Sequence, residues 1–416
     1  MKIYIVYIAL LTSCVSLSNK EEKMMCFEIE KNDITATRLT SVSIENIHFD
    51  DFETGVVLLK KSSSKSKEIN FQIDNQQKKL WFKHNPLNES GSIEYCLIKK
   101  KNSAVNTQFK YEKTAGDLTL ISKEKALVTY RYGMTYPPKG VDSIYKKSGY
   151  IHPILSPKGD TLTRIQPPDH FHHYGLWGPW TRTKIDSEKI DFWNLKDGQG
   201  TVLFKEFNSI QAGSIFAAFD AKQEHLILEN REIGEVAINE NLKIKMWEVD
   251  GKDQYILDYT SEFSSPLPNG ILFEAYRYGG GLGLRFTERW HKDNCTVFTS
   301  SGRDRLTADG SEAKWCIVTG ESADGKSTNG ILFMSHPENK SHPEPMRVWP
   351  IDGNKGRGDM FFEFCPIRHN EWKIEPQRKY NLKYRMLVFE GNINHEEAEQ
   401  HWQAFAENLK ITINKN

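Results

Sequence analysis

The sequence predicts a mostly β chain closed by one helix, and two observations carry that reading. Short runs rich in Val, Ile, Tyr, Phe and Trp, bounded by Gly, Asn, Asp or Pro, recur along the 416 residues. Strong helical periodicity is confined to one C-terminal stretch, 395–409 (HEEAEQHWQAFAENL), which follows Asn394 as a candidate N-cap. The expected strands lie at 27–30, 55–59, 79–84, 126–132, 241–249, 255–263, 283–289, 330–335, 360–364 and 380–390. Within them, 243–249 and 383–389 partly alternate polar with apolar residues, as half-buried strands do.

The first residues form a separate signal. Lys2 precedes the apolar run 3–11 (IYIVYIALL), and Leu11-Thr12-Ser13-Cys14 closes it with the order of a lipoprotein signal. Such a run is too short for the roughly 30 Å of a bilayer core. We therefore expect a removable signal over 1–13, a lipid on Cys14, a polar tether over 14–24, and a location in the periplasm or at the cell surface. A composition change near Asp117 suggests a small N-terminal β domain over 25–117 and a β-sandwich catalytic domain over 118–410, with one continuous sandwich as the alternative.

Composition removes some classes. Lys plus Arg and Asp plus Glu each number 55, so no charge argument points to nucleic acid. Aromatic residues are abundant, which suits either a large β core or a groove for sugars. Besides Cys14, the cysteines Cys26, Cys96, Cys295, Cys316 and Cys365 lack CxxC spacing, so mostly buried free thiols are expected and not a zinc ribbon.

Chemistry concentrates in Asp169-His170-Phe171-His172-His173-Tyr174-Gly175-Leu176-Trp177-Gly178-Pro179-Trp180, followed by Arg182 and by Asp191-Phe192-Trp193. Histidines at this density suit acid/base work or metal ligation. If the segment is extended, His170 and His172 share one face and His173 takes the other. Two further clusters could face it. Glu274, Tyr276 and Arg277 lead into Gly279-Gly280-Gly281, which permits close backbone approach, and then to Arg285, a planar fork for a carboxylate. His336-Pro337-Glu338-Asn339, then Arg347 and Trp349, read as a loop at a strand end.

In order, these motifs resemble those of a bacterial family of unknown function that goes by the name of a PmoA-like methane oxygenase. The matching residues are His170 to Trp177, Asp191-Phe192-Trp193, Gly280 to Arg285 and His336 to Asn339, over roughly 120–390. Phe171 and Tyr174 stand where the family usually has Pro and Arg, and Arg182 could take over that Arg's role. The methane name is rejected, because the sequence after the signal lacks the apolar spans of about 20 residues that a membrane oxygenase needs. The resemblance instead implies polysaccharide degradation and a sandwich of the sugar-mutarotase kind.

Three functions follow as expectations. The favoured one is a lyase or dehydratase acting on uronate-containing oligosaccharides. His173 and His336 would be base and acid, Arg277, Arg285 and Arg347 would contact the substrate, and no cofactor is required. The second is an epimerase or mutarotase using His170 or His173 with Glu274. The third is a glycan-binding lipoprotein with Trp177, Trp180 and Trp193 as stacking platforms beside Tyr276.

Overall fold

The computed structural model describes residues 23–45, 55–61, 66–86, 91–100, 107–249 and 253–414, so the signal segment and Cys14 lie outside the described residues. Among these, two large antiparallel sheets face one another. One has eight strands, in the order Gly200–Ala212, Phe216–Glu229, Glu232–Glu248, Gln254–Ser264, Tyr380–Glu390, Thr328–Ser335, Trp315–Glu321 and Cys295–Thr299. The other has nine, in the order Glu312–Ala313, Glu344–Val348, Phe361–Phe364, Leu282–Arg285, Leu176–Trp177, Tyr150–Ile154, Lys125–Arg131, Asp117–Ser122 and Phe109–Lys113.

The pairing follows from residue alternation. Leu242, Ile244 and Met246 of one sheet and Leu176, Leu284 and Phe362 of the other point into one shared core. Their neighbours in sequence point away from it, because successive strand side chains take opposite faces. The protein is therefore the expected mostly β sandwich.

The far face of the eight-stranded sheet carries an apolar patch that includes Phe216, Trp247, Ile256, Leu332 and Leu387. The C-terminal helix, His395–Ala406, lies against it, burying Ala398 there and packing Trp402 and Phe405 on it. Asn394 caps the helix as expected. Its side chain accepts from the Glu397 amide at 2.9 Å, and Glu397 accepts from the Asn394 amide at 3.1 Å, a reciprocal pair worth about 1 kcal/mol. Trp402 donates to the Ser335 carbonyl at 3.0 Å, which fixes the helix to a strand end.

Two smaller sheets precede the sandwich. The five-stranded one runs Ile411–Asn414, Lys23–Ile29, Ile93–Lys99, Val56–Lys61, Ser66–Ile69, and the three-stranded one runs Arg38–Ser43, Lys79–His84, Phe71–Asp74. They enclose Phe27, Leu58, Leu80, Phe82 and Tyr95. The last strand of the chain thus returns to the first, so these sheets are not assembled from early residues alone. Gln72 joins them to the sandwich by accepting from the amides of Ile215 and Phe216, both at 3.1 Å.

The cysteines are mostly free thiols, as expected, with one pair as the exception. Cys26 and Cys96 stand opposite each other on adjacent antiparallel strands and form a disulfide. Their separation of 70 residues hid a pairing that only strand register reveals. Cys295, Cys316 and Cys365 are buried free thiols, as expected.

Candidate active site

The outer face of the nine-stranded sheet carries the chemistry, and period-two alternation puts it there. Where Leu176, Leu284, Phe362 and Val348 enter the core, Trp177, Arg285, Phe361 and Arg347 point outward. Strand register lines them up. Trp177 stands opposite Gly283, Gly283 opposite Glu363, and Glu363 opposite Arg347. Arg285 faces Phe361 in the adjoining row. The absent side chain of Gly283 makes room for Trp193, since a Cβ there would lie 3.1 Å from the indole. Tyr150, Tyr174, Trp177, Trp193, Trp349 and Phe361 form a continuous aromatic floor.

A tight turn, not a strand, delivers the histidines. The His170 amide bonds the Pro167 carbonyl at 2.8 Å, and the His173 amide bonds the His170 carbonyl at 3.0 Å. The Gln166 amide then closes the loop on the His173 carbonyl at 2.8 Å. This corrects the expectation from extended geometry. All three rings converge, with centroids 4.8 Å apart for His170 and His173, 4.7 Å for His172 and His173, and 5.4 Å for His170 and His172.

Their environments differ. His173 is buried between Trp177, Trp349 and Phe361, with centroids 5.2, 5.6 and 5.3 Å away. Burial, then the charges of His172 and Arg285, hold its pKa well below the usual histidine value. Burial, with His170 and Arg285 adding to it, brings His172 down to about 3. Both are therefore neutral near pH 7. His170 remains 32% exposed, and its Nδ1 lies 2.7 Å from an Asp169 oxygen. Asp169 is an acceptor, so that contact places the proton on Nδ1 and leaves a lone pair on Nε2.

Behind this pair lies Arg285, buried, at 2.7 Å from Asp359 and 3.7 Å from Asp169. Its guanidinium also stacks 4.5 Å from the Trp349 ring centroid. Burial works to raise the Asp169 pKa, but the His170 hydrogen bond and the Arg285 charge hold it below the usual carboxylate value. His173 Nδ1, Trp177 Nε1, Arg285 Nη1, Arg347 Nε and Glu363 Oε2 are buried without a hydrogen-bond partner in the protein. Leaving such a group unsatisfied costs about 1–3 kcal/mol, so polar atoms collected on one face are a mark of a functional surface.

Several anticipated site residues join this face. Trp193 packs 4.9 Å from Trp177. Arg347 pairs with Asp309 at 2.7 Å and donates to the Tyr278 hydroxyl at 3.0 Å, which also accepts from Trp349 at 3.1 Å. Arg277 is exposed beside the Tyr278 ring, 5.5 Å from its centroid, and makes no ion pair.

Others are placed elsewhere. His336 packs against Phe405 of the C-terminal helix, 5.1 Å away, in a groove with Lys383 and Arg385, so it does not meet His173 as an acid partner. Asn339 of the same motif is structural, bonding both the amide and the carbonyl of Lys383 at 2.8 Å. Glu274 approaches Lys189 at 3.7 Å and touches none of the three histidines. Arg182 stacks on Tyr276 at 4.0 Å, a pairing that faces solvent. Trp180 is core, stacked on Phe273 at 4.0 Å. Trp177 and Trp193 are only 2% and 3% exposed, so they offer no open platform to a sugar. The glycine run serves packing, since a Cβ on Gly280 would stand 1.9 Å from Trp180. The three histidines do not bring one ligand atom each together. Among the described residues the tight group of metal-ligand types is Cys26, Glu94 and Cys96, whose cysteines form the disulfide.

Sequence reasoning named Asp169 in the histidine segment without giving it a role, and passed over Tyr278, Asp359, Phe361 and Glu363 as site residues. The alternation in 360–364 (MFFEF) was a usable signal for Phe361 and Glu363, whereas nothing local marks Asp359 as the partner of Arg285.

Residues 117–403 match the model of a family of unknown function, DUF6807. The chain belongs to that family. This meets the expected membership in a family of unknown function, and the description does not bear on the methane-oxygenase name. No curated protein matches the sequence. An α-mannosidase from Enterococcus faecalis V583 is similar at 7% identity and a TM-score of 0.49, covering 94% of this chain and 46% of its own. The heparan sulfate lyase HepC from Pedobacter heparinus has 11% identity and a TM-score of 0.36, covering 71% and 38%. A galactose mutarotase related enzyme from Lactobacillus acidophilus has 8% identity and a TM-score of 0.31, covering 67% and 97%. The chain spans about half the length of the mannosidase. At these scores the likenesses carry no argument about activity.

Proposed function

We propose that the protein is a carbohydrate-active lyase or dehydratase that acts on oligosaccharides containing a uronic acid. The observation that carries this reading is the Asp169–His170 pair, half-exposed at the edge of the aromatic face with Arg285 behind it. Asp169 orients the ring and stabilises the imidazolium that forms, the role a carboxylate has behind a catalytic histidine. His170 Nε2 takes the proton from the carbon next to the sugar carboxylate. The carbon–hydrogen electron pair becomes the new double bond as the carbon–oxygen bond at the neighbouring position breaks. The same imidazolium then returns its proton to the leaving oxygen. Arg277 at the rim holds the substrate carboxylate and opposes the charge that grows on it in the transition state.

The separation of Glu274 from the histidines favours this over epimerisation, because the acid/base pair that epimerisation would draw from them is not assembled. Product mass spectrometry on a panel of uronate oligosaccharides tests it. Loss of one water, or cleavage with an unsaturated product absorbing at the ultraviolet edge, is the expected result. Products of plain hydrolysis, or isomers of unchanged mass, would refute it. Arg277→Ala should weaken acidic substrates by about tenfold or more and leave neutral ones unaffected.

The working location is an envelope compartment, with Cys14 as lipid anchor. The Cys26–Cys96 disulfide supports an oxidising compartment. Cys14→Ser should release the protein from the membrane fraction with its activity intact, and unchanged fractionation would count against the anchor.

A further inference from the structure

A second groove, of about 460 Å³, lies on the opposite side of the sandwich, over the far face of the eight-stranded sheet. Its floor is two polar rows set by strand register. One runs Ser209, Asp220, Lys243, Thr260, Lys383, and the next runs Gln211, Ala218, Lys245, Asp258, Arg385. The row after that, which includes Phe216, Trp247 and Ile256, is the apolar patch described above. Trp81 from the N-terminal sheets and Phe405 with His336 from the other side form the walls. Two structural units and the sheet thus enclose a space of the size that small-molecule sites occupy.

The cations on the floor of this groove are paired with one exception. Arg385 holds Asp258 through bonds of 2.5 and 3.1 Å, Lys243 holds Glu262 at 2.5 Å, and Lys383 holds Glu338 at 2.5 Å. Lys245 has no carboxylate within ion-pair distance. Its ammonium instead rests 3.2 Å from the Trp81 ring centroid and 4.6 Å from that of Phe216. Trp81 Nε1 is buried there without an acceptor. Burial, opposed by Asp258 and Asp74, lowers the Lys245 pKa to about 8. A cation held over aromatic faces and poorly compensated by water gains more from a ligand anion than an exposed lysine does. Ala218 keeps the floor open between Gln211 and Lys245, and Gln211, Ser209 and Thr260 supply amide and hydroxyl groups around them.

We infer that this groove is a second carbohydrate site, which binds an oligosaccharide through one anionic group, a carboxylate or a sulfate ester, seated on Lys245. Sugar hydroxyls meet Gln211, Ser209 and Thr260, and the anion pairs with the one cation of the groove floor that has no carboxylate within ion-pair distance. The inference stands on the groove alone and does not rest on the histidine site. Such a site would retain an acidic glycan on the enzyme independently of turnover.

Calorimetric titration with three probes tests it: a hexuronate trisaccharide, its carboxyl-reduced neutral counterpart, and a neutral trisaccharide bearing one sulfate ester. At least one acidic probe is expected to bind the wild-type protein and His170→Ala equally. Lys245→Met should weaken that binding by about tenfold or more, with Lys245→Arg restoring it. The relative strength of the two acidic probes assigns the anion. Ser209→Trp, on an edge strand at the groove, should block binding without touching the core, so a misfolded lysine variant would not spoil the test. Absence of binding by either acidic probe, or full binding by Lys245→Met or Ser209→Trp, would overturn the inference. Binding lost in His170→Ala but kept in Lys245→Met would place the ligand at the histidine site, sinking the groove while sparing the lyase reading.

Discussion

His170 differs from its two neighbours in exposure and in partner, and the difference decides which ring can move a proton. It alone of the three is paired with a carboxylate, while His172 and His173 are held neutral by burial. Those two shifts also make stability depend on pH. A histidine whose folded pKa lies below its unfolded value of about 6.5 takes up its proton first in the unfolded chain. Its contribution is therefore complete above about pH 6.5 and is lost as pH falls toward the folded value, about 3 for His172. Each such histidine costs about 1.4 kcal/mol per pH unit over that window. Melting temperature should fall between pH 6.5 and 5, and His172→Gln should reduce the slope. An unchanged slope would mean that the ring is protonated without penalty in the folded state.

At the scale of elements, the site depends on how closely two segments approach. Gly279, Gly280 and Gly281 all have positive φ, and they let the chain pass over Trp180 and the Phe364 carbonyl before entering the strand Leu282–Arg285 that presents Arg285. Gly280→Ala would place a methyl within 1.9 Å of the Trp180 ring, at a φ of +68° that favours glycine. We expect a loss of about 2–4 kcal/mol from overpacking and strain together, read as an earlier denaturant midpoint. A variant as stable as the wild type would show that this crossing is not fixed by packing. The strands themselves were legible from runs of β-branched and aromatic residues, as in 79–84 and 380–390, whose bounds match the observed strands. The His170 to His173 turn was not. Its shape comes from backbone bonds across Gln166 to His173, which leave no periodic trace in the sequence.

For the whole molecule, dense motifs located the histidine site, yet proximity in motif order misled. His336 and the histidine turn both carry the look of catalysis in sequence. The sandwich sends them to opposite faces, because the strand ending at Ser335 belongs to the eight-stranded sheet and the strand beginning at Leu176 to the nine-stranded one. Sheet membership is set by long-range pairing, so no local pattern announces it. The central claim, that the Asp169-oriented His170 moves the proton and His336 does not, has one direct measurement. Turnover of a uronate oligosaccharide should be followed in parallel for the wild type, His170→Ala and His336→Ala, with melting curves for each. The account predicts that His170→Ala lowers kcat by roughly 10²-fold or more at an unchanged melting temperature, while His336→Ala stays within about threefold of the wild type. Near-normal turnover in His170→Ala, or a catalytic collapse confined to His336→Ala, would contradict it.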